Sequence, residues 1–214
     1  MTPLENIVEA HRASEEIEAG DFDHGAWSGV RPARIARYWS GAEAPVERHA
    51  EARLVWTEAA LVVRFEYRQA EPFVVSIAPQ LERKTLGLWD RDVCEIFVAP
   101  NSSAPDRYFE FEAAPNGEWL DLAIHLTPRG RETDWNFRSG MRAAARVSGE
   151  RVLVSMRVPW KALGRAPRAG ERWRANLFRC VGAGEARGYV AWQPTHTPEP
   201  SFHVPEKFGW IRFK

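Results

Sequence analysis

Apolar and polar residues alternate with period two along much of the chain, the spacing of extended strands rather than helices. Within residues 93–98, Cys94, Ile96 and Val98 fall on one face of an extended chain, and Val93, Glu95 and Phe97 on the other. Within residues 108–112, Phe109 and Phe111 point one way while Tyr108, Glu110 and Glu112 point the other. Pro115, Asn116 and Gly117 form a turn signal, after which Leu120, Leu122 and Ile124 resume the period. An antiparallel pair is predicted, with one aliphatic buried face and an opposite face carrying aromatic rings and carboxylates. A sheet needs only the first face to fold, so the second points to function.

Two hairpins are predicted, at residues 52–56 with 61–67 and at residues 141–147 with 151–158. Further strands are expected at residues 73–77, 173–181, 189–193 and 208–213, with loops at 79–92 and 126–140 and a Pro-rich loop at 194–205. Pro159 and Gly164 bracket one short helical turn. Residues 4–19 have irregular apolar spacing and are expected to form an extended or frayed arm. About ten strands with almost no helix predict an all-β antiparallel sandwich. The expected organisation is an N-terminal arm at 1–20 and one domain at 21–214.

A chain of 214 residues is long enough to bury a core without a metal or a disulfide. Its 29 basic and 29 acidic residues balance, and no basic run stands out, which argues against a nucleic-acid partner. No apolar stretch of membrane length occurs, which argues against a membrane-spanning helix. The first 25 residues lack the basic and apolar regions of a secretory leader, and the compartment stays open. Cys94 and Cys180 both sit in apolar runs and read as buried thiols, with a disulfide left open. The ten tryptophans are the compositional outlier. Most must be core, because an indole is costly to expose.

No nucleophile elbow, phosphate-cradling glycine loop, His-Glu-x-x-His or Cys-x-x-Cys pattern occurs. His196 and His203 lie seven apart across prolines, which is no recognisable metal spacing. Glu95, Glu110, Glu112 and Asp121 fall on neighbouring strands. They read as a solvated polar face or, if suitably spaced, as a glycosidase pair. A second reading joins rings to carboxylates: an indole matches the C–H face of a sugar, and Glu or Asn its hydroxyls. Trp89 lies beside Asp90, six residues before Glu95, and Trp192 leads into the Pro-rich loop. Each also reads as a core plug.

The runs LWDRDVCEIFVAP (88–100), RYFEFEAAPNGEWLDL (107–122), RVPWKALG (157–164), WRANLFR (173–179) and FHVPEKFG (202–209) carry a resemblance. In order and spacing they resemble the family 9 carbohydrate-binding modules and their DOMON-like relatives, over about residues 20–214. The resemblance implies a β-sandwich that clamps a sugar ring between two tryptophans while a carboxylate reads hydroxyls of a reducing end. By position these are Trp89, Trp192 and Glu95, with Tyr108, Glu110 and Asn176 in support. Where sugar-binding members offer an arginine on the strand after Glu95, this chain has Tyr108, Glu110 and Glu112. The resemblance also implies structural calcium, for which no full set of oxygen ligands is recognisable. The haem-binding branch would need axial Met and His. Met156 alternates with Val152, Val154 and Val158 as a core residue, and Met141 opens a strand.

The expected function is non-catalytic binding of a mono- or oligosaccharide, with no cofactor and no nucleic-acid or membrane partner. The alternatives are a glycan-processing enzyme using Glu95 with Glu110 or Asp121, and a DOMON-like cofactor or interaction domain without a sugar site.

Overall fold

A computed structural model describes residues 6–214. Its strands are β1 (Ile7–Arg12), β2 (Ala33–Ile35), β3 (Arg37–Tyr38), β4 (Ala50–Trp56), β5 (Ala60–Arg68), β6 (Val93–Ala99), β7 (Arg107–Ala113), β8 (Trp119–Thr127), β9 (Gly130–Asp134), β10 (Arg142–Ser148), β11 (Arg151–Pro159), β12 (Arg172–Val181), β13 (Gly188–Ala191) and β14 (Gly209–Phe213). All belong to one curled sheet in the order β10-β11-β5-β4-β1-β14-β12-β6-β7-β8-β9, with β2 on β4, and β13 between β12 and β3. The sheet folds over so that its halves face each other. Leu54, Phe65 and Val154 from one half share a core with Ile96, Phe111 and Leu177 from the other. This is the sandwich that alternation predicts, since every strand sends alternate residues into the space between the halves.

The outer faces are covered too. Ile17, Trp27 and Val30 lie over Val55 and Val62. The Arg64 guanidinium sits 4.7 Å over the Trp27 ring. On the other half, Phe97, Tyr108, Leu122 and Phe178 form a second cluster with Phe202 and Phe208. The rings of Phe178 and Phe202 stack at 3.8 Å and 9°. The Pro-rich segment is therefore pinned to the sheet at Phe202, leaving a cleft beside it. No helix among the described residues is long and apolar enough to cross a membrane.

Several sequence expectations are corrected. The sheet has fourteen strands among the described residues and is mixed, because β1 runs parallel to both β14 and β4. Part of the expected arm is thus a central strand; residues 1–5 of that arm lie outside the described residues. Only Val8 and Ala10 of β1 are buried, too few to show a period. Its partners Ile211 and Leu54 are remote in sequence. Residues 73–77 join no ladder; Val74 is instead held by Asp92, whose Oδ2 accepts from the Val74 N–H at 3.2 Å. The expected loop at 126–140 contains β9, paired with β8. The helical turn at Trp160–Leu163 is a 3-10 turn, one of several such turns.

Candidate functional site

Strand register assembles the floor of the cleft. Opposite one another are Glu95 and Glu112, Phe97 and Glu110, and Phe178 and Glu95. These residues, with Leu122 and Ile124, share the outer face of β12-β6-β7-β8. The cleft holds about 260 Å³, with Glu95, Phe97, Glu110, Leu122, Ile124 and Cys180 at its base. Its rim carries Trp89 and Asp90, then Arg131, Thr133 and Trp135, then Tyr189, and Pro200 to His203 of the late segment.

Each indole at the rim has a local reason for its place. Gly87, at φ 77°, opens the 3-10 turn Leu88–Asp90, and Leu88 is wholly buried as its anchor. Arg187 then clamps the turn, donating to the carbonyls of Trp89 at 2.5 Å and Arg91 at 2.7 Å. Trp89 is left half-buried. Trp135 follows β9, where Asp134 Oδ1 accepts from the Asn136 N–H at 2.9 Å. Phe137 packs on Phe109 at 5.2 Å. Trp135 itself is 44% exposed. The two indoles lie 6.2 Å apart at 47°.

Beneath them, carboxylate oxygens of Glu95, Glu110 and Glu112 lie within 4.8 Å of one another. All three residues are buried. The Cys180 thiol donates to Glu95 Oε1 at 3.3 Å. Glu110 Oε2 and both Glu112 oxygens accept from no N–H, O–H or S–H group, although Glu110 and Glu112 lie close enough to share a proton. Burial, then the neighbouring Glu110 charge, pushes the Glu95 carboxyl up to about 8. Burial raises Glu110, and burial with both neighbours raises Glu112 well above its ordinary value. Burial and the nearby Arg131 push His203 down to about 3, so its ring is neutral. That ring lies 2.8 Å from the Tyr108 hydroxyl at Nδ1 and 3.9 Å from Glu110 at Nε2.

The structure brings Trp89, Glu95 and Glu110 together and places Tyr108 just beneath, through His203. It does not bring Trp192 or Asn176 there. Trp192 is 8% exposed and belongs to the core between the halves. Along this segment Tyr189 and Ala191 face the cleft side, while Val190 and Trp192 face the core. The clamp expected between Trp89 and Trp192 therefore does not exist. Asn176 is fully buried and tied to the backbone of Gln193, donating at 2.8 Å and accepting at 3.1 Å. Asp121 lies on the opposite face of β8, paired with Lys84 at 2.7 Å and accepting from the Ser139 N–H and hydroxyl. The expected partner choice of Glu95 with Asp121 is thereby removed.

Met156 is core and Cys94 faces the same interior, whereas Cys180 faces the cleft. His196 bonds the Ser40 carbonyl at 2.9 Å, away from the cleft residue His203. Sequence reasoning missed Trp135, Tyr189 and His203. A signal existed for the first: Arg131, Thr133 and Trp135 alternate with Glu132 and Asp134, a short strand inside the expected loop.

The calcium implied by the resemblance needs several converging oxygens. Three carboxylates can supply up to six; one oxygen from each of Glu95, Glu110 and Glu112 converges here, and Glu110 Oε2 and both Glu112 oxygens accept from no donor. That donor set fits a hard divalent cation.

A curled sandwich with an indole-rimmed, acid-floored cleft is the build of a small-ligand-binding module. The chain belongs to the carbohydrate family 9 binding domain-like family, whose profile matches residues 19–214. Among solved structures, a Bacteroides uniformis protein of proposed carbohydrate-binding function is 17% identical, with a TM-score of 0.71 over 98% of this chain and 99% of that one. A family 9 carbohydrate-binding module from Caldicellulosiruptor kristjanssonii, solved with cellotriose, is 17% identical, with a TM-score of 0.67 over 97% of this chain and 93% of that one. A module of the same family and organism solved with glucose is 16% identical, with a TM-score of 0.69 over 97% and 95%. At these identities the likeness is one of fold. No curated protein sequence matches the chain significantly.

Proposed function

We propose that the protein is a non-catalytic saccharide binder that holds one sugar ring or a chain end in this cleft. The observation that carries the reading is the placement of two part-exposed indoles above buried carboxyls in one open cleft. The indole of Trp89 supplies a flat apolar surface for a C–H face, and Glu95 and Glu110 supply hydrogen bonds to hydroxyls. At about 260 Å³ the cleft falls just under the roughly 300–1,000 Å³ of drug-sized pockets, which suits one ring better than a long chain. The cellotriose and glucose held by the Caldicellulosiruptor modules support the ligand class.

The mode differs from a two-plate clamp. A ring between parallel indoles needs two contact shells, about 7–8 Å in all. Trp89 and Trp135 stand 6.2 Å apart and tilted, so they act as one angled wall against which a sugar leans. A glycosidase divides its work between two carboxyls whose surroundings push their proton affinities apart. Here burial raises Glu95, Glu110 and Glu112 alike, so the cleft does not set one of them aside as the ionised partner.

Few hydrogen bonds and one stacked ring imply weak affinity after the cost of immobilising the ligand. The test is calorimetric titration with a panel that includes glucose and cellotriose. Trp89→Ala is expected to abolish the heat and the sugar-dependent tryptophan fluorescence change while leaving the melting temperature nearly unmoved. Absence of binding across the panel, or turnover of aryl glycosides, would overturn the reading.

A further inference from the structure

We propose that Glu95, Glu110 and Glu112 form a site for one hard divalent cation, of the calcium or manganese class, at the base of the cleft. The first support is dimensional. Ligand oxygens stand about 2.1–2.6 Å from such an ion, so oxygens on opposite sides of it are about 4.2–5.2 Å apart. One oxygen from each of the three carboxylates lies within 4.8 Å of the other two. Glu110 and Glu112 are two apart on β7, and Glu95 faces Glu112 across the β6–β7 ladder, so the backbone holds the three together without a ligand.

The second support is a contrast among the buried acids. Asp92 accepts from Gln69, Val74 and Gly182. Glu118 accepts from Arg91, Gln80 and Thr85. Asp121 accepts from Ser139 and is paired with Lys84. The cleft acids lack such provision. Both oxygens of Glu112, 0% exposed, and Oε2 of Glu110 accept from no donor group. Burying a carboxylate without donors is costly, and a bound cation removes that cost for all three at once. Their raised proton affinity agrees with a site short of positive charge.

The donor chemistry selects the ion. Carboxylate oxygens favour hard cations, whereas zinc prefers thiolate or imidazole. The sulfur at hand, Cys180, spends its S–H on Glu95, and burial holds its thiol well up. The nearest imidazole, His203, turns Nδ1 to the Tyr108 hydroxyl and is not one of the three converging groups. Glu95 and Glu110 line the cleft, so coordination positions on that side stay open to water or to a ligand hydroxyl.

The test uses the whole chain, stripped with chelator and with no sugar present, so its outcome is separate from the saccharide reading. Manganese is titrated in near neutral pH and free ion followed by its spin-resonance signal. The expected result is uptake of one ion per chain, displaced by calcium and weakened about tenfold or more in Glu112→Gln. That variant replaces a buried carboxyl that has no donor by a neutral amide of the same size, so its metal-free melting temperature is expected to equal or exceed the parent's, which separates lost binding from misfolding. At one cation concentration, uptake should raise the parent's melting temperature more than the variant's. No uptake up to about 1 mM, the weak end of calcium sites, overturns the proposal and leaves a proton-sharing cluster. Equal uptake by Glu112→Gln, or uptake of zinc alone that Cys180→Ser abolishes, overturns it too.

Discussion

Trp192 and Trp135 have opposite fates for reasons that only neighbours supply. Trp192 presses so closely on Gly209 that a Cβ there would stand 2.6 Å from its ring. Trp192→Ala is expected to cost about 3–5 kcal/mol, as large core aromatics do, visible as a lower urea midpoint. Trp135→Ala, at an exposed position, should leave that midpoint nearly unmoved and weaken saccharide binding in the same titration that tests Trp89. That Trp89, Glu95 and Glu110 line one cleft was legible, because a charged loop and an alternating strand are local signals. Trp192 was misread because a residue beside a Pro-rich loop looks exposed until the strand before it sets its direction. Trp135 was missed because a five-residue strand at the surface carries almost no apolar period.

Among the elements, β6, β7, β8, β11 and β12 were readable from alternation, and the turn at Gly117 from its residues. β1 was not. A strand with two buried residues and parallel partners on both sides leaves no hairpin signal, since its neighbours come from opposite ends of the chain. Its importance follows from its position between β4 and β14, where it joins the two halves of the sheet. Ala10 is 0% exposed there. Ala10→Asp would bury an unpaired carboxylate at that joint. It is expected to prevent accumulation of folded protein, read as loss of the cooperative urea transition, whereas a charge at neighbouring exposed Arg12 would be tolerated.

Across the whole molecule, closure of the sheet brings the two ends of the described chain into electrostatic contact. Glu9 on β1 pairs with Lys214 at 2.7 Å and with Arg212. The hydrogen bonds from Lys214 and then Arg212 hold the Glu9 carboxyl at about 2, below its ordinary 4.5. The folded value is depressed, so the stabilisation is present above about 4.5 and is lost as pH falls toward 2. The stability difference between the parent and Glu9→Gln should therefore fade over that window in urea melts at stepped pH. A difference that stays constant with pH would show the pair to be inert, as many solvent-facing pairs are.

The sequence by itself determined the all-β class, the alternation that buries one face and loads the other with acids and rings, and membership of a recognisable family pattern. These are local properties, set by period two and by turn residues. Only the tertiary structure decided which indoles meet solvent, which acids converge and which sheet half β1 joins. Those outcomes depend on strand register and on contacts between residues far apart in sequence, where a shift of one position turns a side chain from the cleft into the core.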